Sequence, residues 1–153
     1  MAKTDYNAID AEIRATLSNK SYLLGNLANA AAIINNHMED VCWVGFYLLH
    51  KDEMFVGPFQ GQSVRKTLPL YKGIVGKVMK TGKTQLNNDT TDCKCGNADG
   101  IKKSQLAIAI YYNREPVGVL NIESASVDRF DEKDVEALEK IAFLIQNVWR
   151  HMY

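Results

Sequence analysis

The feature that most constrains the fold is the apolar, aromatic stretch Cys42-Trp-Val-Gly-Phe-Tyr-Leu-Leu49, which Gly57-Pro-Phe-Gln-Gly61 follows eight residues later. Residues 41–49 are rich in branched and aromatic side chains, which predicts a central buried β-strand, and the later segment predicts a turn. Side chains four positions apart on a strand point to one face, so we expect Trp43 and Tyr47 on the same side. These rings are either core of that sheet face or walls of a pocket.

The remaining hydrophobic patterns predict an alternation of helices and strands in one domain, residues 1–153. Helical spacing of apolar residues occurs at 5–17, from about 21 onwards, at 72–82 and after a capping Asp131. Further strands are predicted at 54–56, 64–68, 85–86, 105–112 and 116–123. This order fits an α+β fold: a central antiparallel sheet with the N- and C-terminal helices on one face and a ligand pocket on the other.

Composition excludes several classes of protein. The 46% apolar and 24% charged residues are typical of a globular chain rather than a disordered one. Eighteen basic and eighteen acidic side chains cancel, so we expect neither nucleic acid nor membrane as a partner. The polar start of the chain predicts no signal segment, and an odd number of cysteines (three) fits a reducing compartment. We therefore expect a cytoplasmic protein.

The least regular stretch, residues 87–103, contains three Asn, three Asp, two Gly and two Cys. A loop of this length in a compact domain is uncommon and is usually functional or mobile. Nine basic and three acidic residues lie between positions 65 and 103. They form either an ordinary solvated surface or a rim that attracts anions to a pocket.

Five motifs give the chain a resemblance to a known family. They are Trp43-Val-Gly-Phe-Tyr-Leu48, Gly57-Pro-Phe-Gln-Gly61, Tyr71-Lys-Gly-Ile-Val-Gly76, Ser104-Gln-Leu-Ala-Ile-Ala109 and Gly118-Val-Leu-Asn-Ile-Glu-Ser124. Together, over nearly the whole chain, they resemble the free methionine-R-sulfoxide reductases, which are single GAF domains. The resemblance implies a GAF fold and a homodimer, with no cofactor and no metal.

In that family a loop cysteine attacks the sulfoxide sulfur, a second cysteine resolves the sulfenic acid as a disulfide, and thioredoxin reduces it. The resemblance puts Arg65, Val75, and either Ala98 or Asp99 where the family has cysteines. The chain therefore lacks thiols at the positions that the resemblance assigns to this chemistry.

Two other cysteines, Cys93 and Cys95, lie in the irregular stretch on either side of Lys94. One interpretation is that these cysteines have no catalytic role. The other is that they perform the redox reaction from a new position in the chain, where basic neighbours favour the thiolate, with thioredoxin as a partner. Metal binding by Cys-x-Cys is poorly supported, because few histidines are present to complete a tetrahedral site.

The family's acidic cluster, which holds the ammonium group of the substrate, corresponds by resemblance to Gln105, Asn121 and Glu123. Three formal negative charges become one, which implies weaker binding of free methionine sulfoxide. Amides both donate and accept hydrogen bonds, which suits a small neutral polar or heterocyclic ligand. We therefore predict a ligand site made of Trp43, Tyr47, Gln105, Asn121 and Glu123. An active reductase using Cys93 and Cys95, or an interaction subunit without a ligand, are the alternatives.

Overall fold

The computed structural model describes residues 4–20, 22–90 and 102–149. Four helices lie within these residues: α1 (Tyr6–Thr16), α2 (Leu23–His37), α3 (Gly73–Thr81) and α4 (Glu132–Trp149). The described strands are β1 (Trp43–His50), β2 (Glu53–Gly61), β3 (Thr67–Pro69), β4 (Gln85–Asn87), β5 (Ser104–Tyr112) and β6 (Glu115–Ser124). All pair antiparallel in one sheet of order β3-β2-β1-β6-β5-β4, as the α+β prediction requires.

The two faces of the sheet carry separate apolar clusters, because side chains alternate along each strand. On β1, Val44 and Phe46 belong to the cluster that packs against α1, α2 and α4. Trp43 and Tyr47 belong to the other cluster, which packs against α3. The prediction that both terminal helices share one face is confirmed. Trp43 and Tyr47 lie on the same side of the sheet, as expected, and this side faces away from those helices.

The segment Gly57-Pro-Phe-Gln-Gly61 is strand rather than the predicted turn, because β2 continues through it to Gly61. The register moves from Gly45 opposite Phe59 to Tyr47 opposite Val56, which places the extra residue of a β-bulge in β2. A bulge leaves one residue out of the hydrogen-bond ladder, so Pro58 is tolerated inside a strand. The strand predicted at 64–68 is also displaced, to β3 (Thr67–Pro69) at the sheet edge.

The N-terminal ends of α1 and α4 are capped by carboxylates, as predicted for α4. The Asp131 carboxylate accepts from the Asp134 amide at 2.9 Å, and the Asp134 carboxylate accepts from the Asp131 amide at 3.0 Å. This reciprocal pair satisfies backbone N–H groups that the first turn leaves without partners. The start of α1 is capped similarly, since Asp5 accepts from the Ala8 amide at 3.0 Å. No helix in the described part of the chain combines the length and apolar character needed to cross a membrane.

Candidate functional site

Three aromatic rings stack on the sheet face that carries α3. The Trp43 ring lies between Tyr47, at a centroid distance of 5.6 Å, and Phe59, at 5.2 Å. The interplanar angles are 19° and 17°, so the rings are nearly parallel. Trp43 Nε1 donates to the Gln62 carbonyl at 3.1 Å, which fixes the orientation of the indole. The structure thus brings the predicted pair together and adds Phe59, which sequence reasoning did not assign to the site.

Gly45 makes this stack possible. A Cβ atom there would lie 2.3 Å from Phe59 Cβ and 2.7 Å from the Trp43 ring. Both distances are far below van der Waals contact, so any side chain at this position would displace Phe59 and the Trp43 ring. The aromatic motif therefore needs its central glycine for packing rather than for backbone conformation.

The three predicted polar residues lie beside the rings, in register across the sheet. Glu123 on β6 is opposite Trp43 on β1 and opposite Gln105 on β5. Asn121 is opposite Gly45. Residues directly opposite on antiparallel strands have Cβ atoms about 5 Å apart, so aromatic and polar side chains adjoin on one face.

These polar side chains form a hydrogen-bonded ring that a lysine closes, and we call Lys102, Gln105, Asn121 and Glu123 the polar ring. Gln105 Nε2 donates to Asn121 Oδ1 at 2.8 Å, and Asn121 Nδ2 donates to Glu123 Oε2 at 3.0 Å. Lys102 Nζ donates to Gln105 Oε1 at 3.1 Å and lies 3.8 Å from Glu123 Oε2. One positive and one negative charge make the ring neutral as a whole.

The polar ring is largely shielded from water. Asn121 is fully buried, and Gln105 and Lys102 are 6% and 9% exposed. Sequence reasoning counted Lys102 only as one of the nine basic residues between positions 65 and 103 and did not assign it to the site. The sequence signal for Lys102 was its position, two residues before a strand whose second residue, Gln105, is a predicted site residue.

Tyr47 keeps a neutral hydroxyl beside this ring. Burial raises the pKa of Tyr47 well above its ordinary value, and the nearby Glu123 carboxylate raises it further. A phenol in this state can both donate and accept a hydrogen bond. Tyr47 thus gives the aromatic side of the site a hydroxyl group for hydrogen bonding.

The rest of this sheet face is closed by α3. Val75, Val78 and Met79 of that helix join Ala107 and Val119 of the sheet in one apolar cluster. Val75, one of the positions where the resemblance puts a family cysteine, is 4% exposed and packs in this cluster. Arg65, another such position, is exposed between β2 and β3.

The predicted loop cysteines, Cys93 and Cys95, lie outside the described residues, as do Ala98 and Asp99. The residues on either side of segment 91–101 are described and bonded to one another. The Thr90 amide donates to the Lys103 carbonyl at 2.8 Å, and the Thr90 hydroxyl to the Lys102 carbonyl at 2.7 Å. Cys42, directly before β1, is half-buried.

No group of three His, Cys, Asp or Glu side chains within residues 4–20, 22–90 and 102–149 is arranged to hold a metal ion. The candidate site is built from hydrogen-bonded polar side chains next to aromatic rings. It combines stacked rings, two amides, one carboxylate and one ammonium.

Comparisons with known proteins identify a common fold and related sequences. Residues 23–149 match the GAF domain family. The chain is 27% identical over 150 residues to the free methionine-R-sulfoxide reductase of Escherichia coli, covering 97% of this chain and 91% of that protein. It is 33% identical over 129 residues to the Saccharomyces cerevisiae protein of the same name, covering 78% and 72%.

A solved structure is similar over the full length. The structure of fRMsr of Staphylococcus aureus in complex with substrate superposes with a TM-score of 0.91 at 30% sequence identity. The match covers 100% of this chain and 99% of the other.

Proposed function

Because the chain belongs to the GAF domain family and is homologous to the free methionine-R-sulfoxide reductases, we propose that it is a GAF-domain protein that binds a small polar ligand, with the reductase activity impaired or absent. The observation that carries this proposal is the contiguity of the aromatic stack and the polar ring on one sheet face. A flat apolar surface beside convergent hydrogen-bonding groups is the usual composition of a small-molecule site.

The proposed ligand is planar or compact and mostly neutral. A ring or apolar body would lie against the Tyr47 end of the aromatic stack, where aromatic contacts add to the burial of apolar area. Its polar edge would meet the amides of Gln105 and Asn121, which offer both donors and acceptors. Since the polar ring already contains its own ion pair, binding requires no charge from the ligand.

A thermal-shift screen of purines, nucleotides, amino acids and methionine sulfoxides tests this proposal, because a ligand that binds only the folded state raises the melting temperature. We expect a shift that Trp43→Leu abolishes. Phe143→Leu is the matched control, since Phe143 is 59% exposed on α4, on the opposite side of the sheet. A ligand-induced shift that survives Trp43→Leu, or a screen with no stabilising compound, would contradict the proposal.

The second candidate is an active free methionine-R-sulfoxide reductase that uses Cys93 or Cys95. Its support is the identity to proteins of that name and the hydrogen bond that joins Thr90 to Lys102, a member of the polar ring. A thioredoxin-coupled assay with methionine-R-sulfoxide separates the two candidates. Turnover that is lost in Cys93→Ser or Cys95→Ser, and kept in Cys42→Ser, would overturn our preference.

We propose further that the protein acts in the cytoplasm as a homodimer. The large apolar side chains of Tyr22 and Leu24, at the start of α2, are 91% and 58% exposed, which fits a contact surface. Light scattering after size exclusion measures the oligomeric state directly. A monomer at micromolar concentration would contradict this part of the proposal.

A further inference from the structure

The two edge strands of the described sheet differ in how they are protected against further pairing. β3 ends in Pro69, which has no N–H to donate, and the exposed side chains of Arg65 and Lys66 come directly before it. Proline and lysine at a sheet edge keep other chains from adding a strand. β4 has the sequence Gln-Leu-Asn, without proline or charge, and among the described strands it pairs with β5 alone. The outer edge of β4 therefore carries none of these protections.

An apolar groove lies beside this edge, on the helix side of the sheet. Leu86 of β4 is 42% exposed, and its partner in the register, Leu106, belongs to the apolar cluster that packs against α4. Leu86 and Val135 of α4 line a space of about 490 Å³, which we call the α4 groove. An exposed leucine at an unprotected strand edge favours contact with another chain.

The α4 groove runs along the whole of β4, because hydrogen bonds join the strand to α4 at both ends. The Thr84 hydroxyl donates to Glu139 Oε1 at 3.0 Å. At the other end, Asn88 Nδ2 donates to the Phe130 carbonyl at 2.8 Å. The strand and the first half of α4 thus lie side by side and run in opposite directions.

Every charged side chain that lines the α4 groove in the described part of the chain is acidic; the four are Asp131, Glu132, Glu136 and Glu139. The three glutamates and Val135 recur at helical spacing, which places them on one stripe of α4. Glu136 lies 3.6 Å from Lys140, but both side chains are 73% exposed. An ion pair this exposed contributes little to stability, so Glu136 can exchange Lys140 for a cation on a partner.

We infer that β4 and the α4 groove bind an extended, basic segment of a partner protein, which adds to the sheet as a further strand. The main chain of this segment pairs with the outer edge of β4. Its alternate side chains point to the groove, with an apolar one on Leu86 and Val135 and lysine or arginine beside the glutamates. The surface lies on the opposite face of the sheet from Trp43 and Tyr47, so this inference is independent of the proposed ligand.

The probe is a fluorescein-labelled peptide, Thr-Lys-Thr-Leu-Thr-Lys-Thr, whose lysines and leucine share one face when it is extended. Fluorescence anisotropy with the full chain at pH 7 and low salt should show saturable binding. Glu136→Lys should weaken it at least about fivefold, because repulsion replaces attraction. Glu53→Lys is the matched control, since Glu53 is exposed on β2, which three strands separate from β4. It makes the same change of charge and should bind like the wild-type protein.

Two N-methylated peptides separate strand addition from simple charge attraction. One carries methyl groups on the amides of the threonines, and the other on those of the lysines and leucine, so the charges are equal. Only alternate N–H groups of an edge strand point to its neighbour. One peptide should therefore bind at least about tenfold more weakly than the unmodified probe, while the other still binds.

Leu86→Lys gives β4 a charged edge residue and should also weaken binding. Melting temperatures report whether each variant is folded. Glu136→Lys changes an exposed side chain, so it decides the matter even if Leu86→Lys does not fold.

Several results would overturn the inference: no saturable binding to the wild-type protein, equal affinity of Glu136→Lys and Glu53→Lys, or equal affinity of the two N-methylated peptides. Spermidine that binds as tightly as the probe would assign the α4 groove to small cations instead. A homodimer that Glu136→Lys converts to a monomer in light scattering would assign the groove to a second copy of the chain. Either result also overturns the inference.

Discussion

Gln105 Nε2 donates a 2.8 Å hydrogen bond to Asn121 Oδ1, joining β5 to β6 through their side chains. This bond orients the Asn121 amide so that its Nδ2 atom points to Glu123 Oε2, 3.0 Å away. Asn121 is fully buried, so each of its polar atoms needs a protein partner. The amide at this position is thus required by the network around it.

Asn121→Asp should therefore destabilise the protein. The substitution removes the donor to Glu123 Oε2 and puts a second carboxylate next to the first, in a buried position. We expect a loss of about 1–3 kcal/mol in the free energy of unfolding, measured by urea denaturation at pH 7. Asn29→Asp, on the exposed side of α2, is the control and should change stability by less than about 0.5 kcal/mol. Equal effects would show that the polar ring contributes nothing to stability.

Two glycine-to-alanine substitutions should change the stability of the protein in opposite directions. At Gly45 the added Cβ would overlap Phe59 and Trp43, so Gly45→Ala should cost about 1–3 kcal/mol. At Gly25, within α2, a Cβ meets no atom within 4 Å, so Gly25→Ala should stabilise by about 0.5–1 kcal/mol. Thermal unfolding of both variants checks this directly, and near-ultraviolet circular dichroism should change for Gly45→Ala alone. If Gly45→Ala left the stability unchanged, the aromatic stack would tolerate displacement.

The cap of α4 should give a stability contribution that depends on pH. Hydrogen bonding from the Asp134 amide lowers the pKa of Asp131 below its ordinary value of 3.8. A lowered pKa means that the stabilisation is present above about pH 4 and is lost as the pH falls through the folded-state value. Asp131→Ala should cost about 1 kcal/mol at pH 7 and progressively less below pH 4, by urea denaturation.

Asp131→Asn is the matched control for that experiment, because asparagine caps a helix without titrating near pH 4. Its stability difference from Asp131→Ala should stay constant as the pH falls. If the stability of Asp131→Asn depended on pH as strongly as that of the wild-type protein, the pH dependence would come from carboxylates other than Asp131.

Most of the fold could be predicted because the spacing of apolar residues and the sequence motifs indicate the same helices and strands. In β1 the alternation of Val44 and Phe46 with Trp43 and Tyr47 defines both faces of the sheet from the sequence alone. The bulge at Pro58 could not be predicted, because proline and glycine also signal a turn and only the pairing with β1 distinguishes the two.

The candidate site was predicted in part for a similar reason. Strand alternation brings Gln105, Asn121 and Glu123 to the face of the two rings. The place of Lys102 in the site was not predicted, because this residue precedes β5 and the alternation of side chains along a strand does not determine where it lies. A lysine is usually exposed, and here its burial depends on acceptors contributed by two different strands.

A half-buried tyrosine ties the N-terminal helix to the start of α4. The Tyr6 hydroxyl donates to Asp134 Oδ1, while Arg129 Nη1 donates to Asp134 Oδ2 at 3.3 Å. Burial raises the pKa of Tyr6 above its ordinary value of 10.0, and the hydrogen bond to Asp134 raises it further. The folded state therefore favours the neutral form of the Tyr6 side chain.

Tyr6→Phe should cost about 1–2 kcal/mol at pH 7, because Asp134 loses a donor in a partly buried position. A raised pKa gives stabilisation that is complete below the ordinary value and is lost as the pH rises toward the folded-state value. The stability difference between wild-type protein and Tyr6→Phe should thus shrink above pH 10, in urea titrations from pH 7 to 11. Tyr22→Phe, at a 91% exposed position, should show no such change. A difference independent of pH would contradict the link between Tyr6 and Asp134.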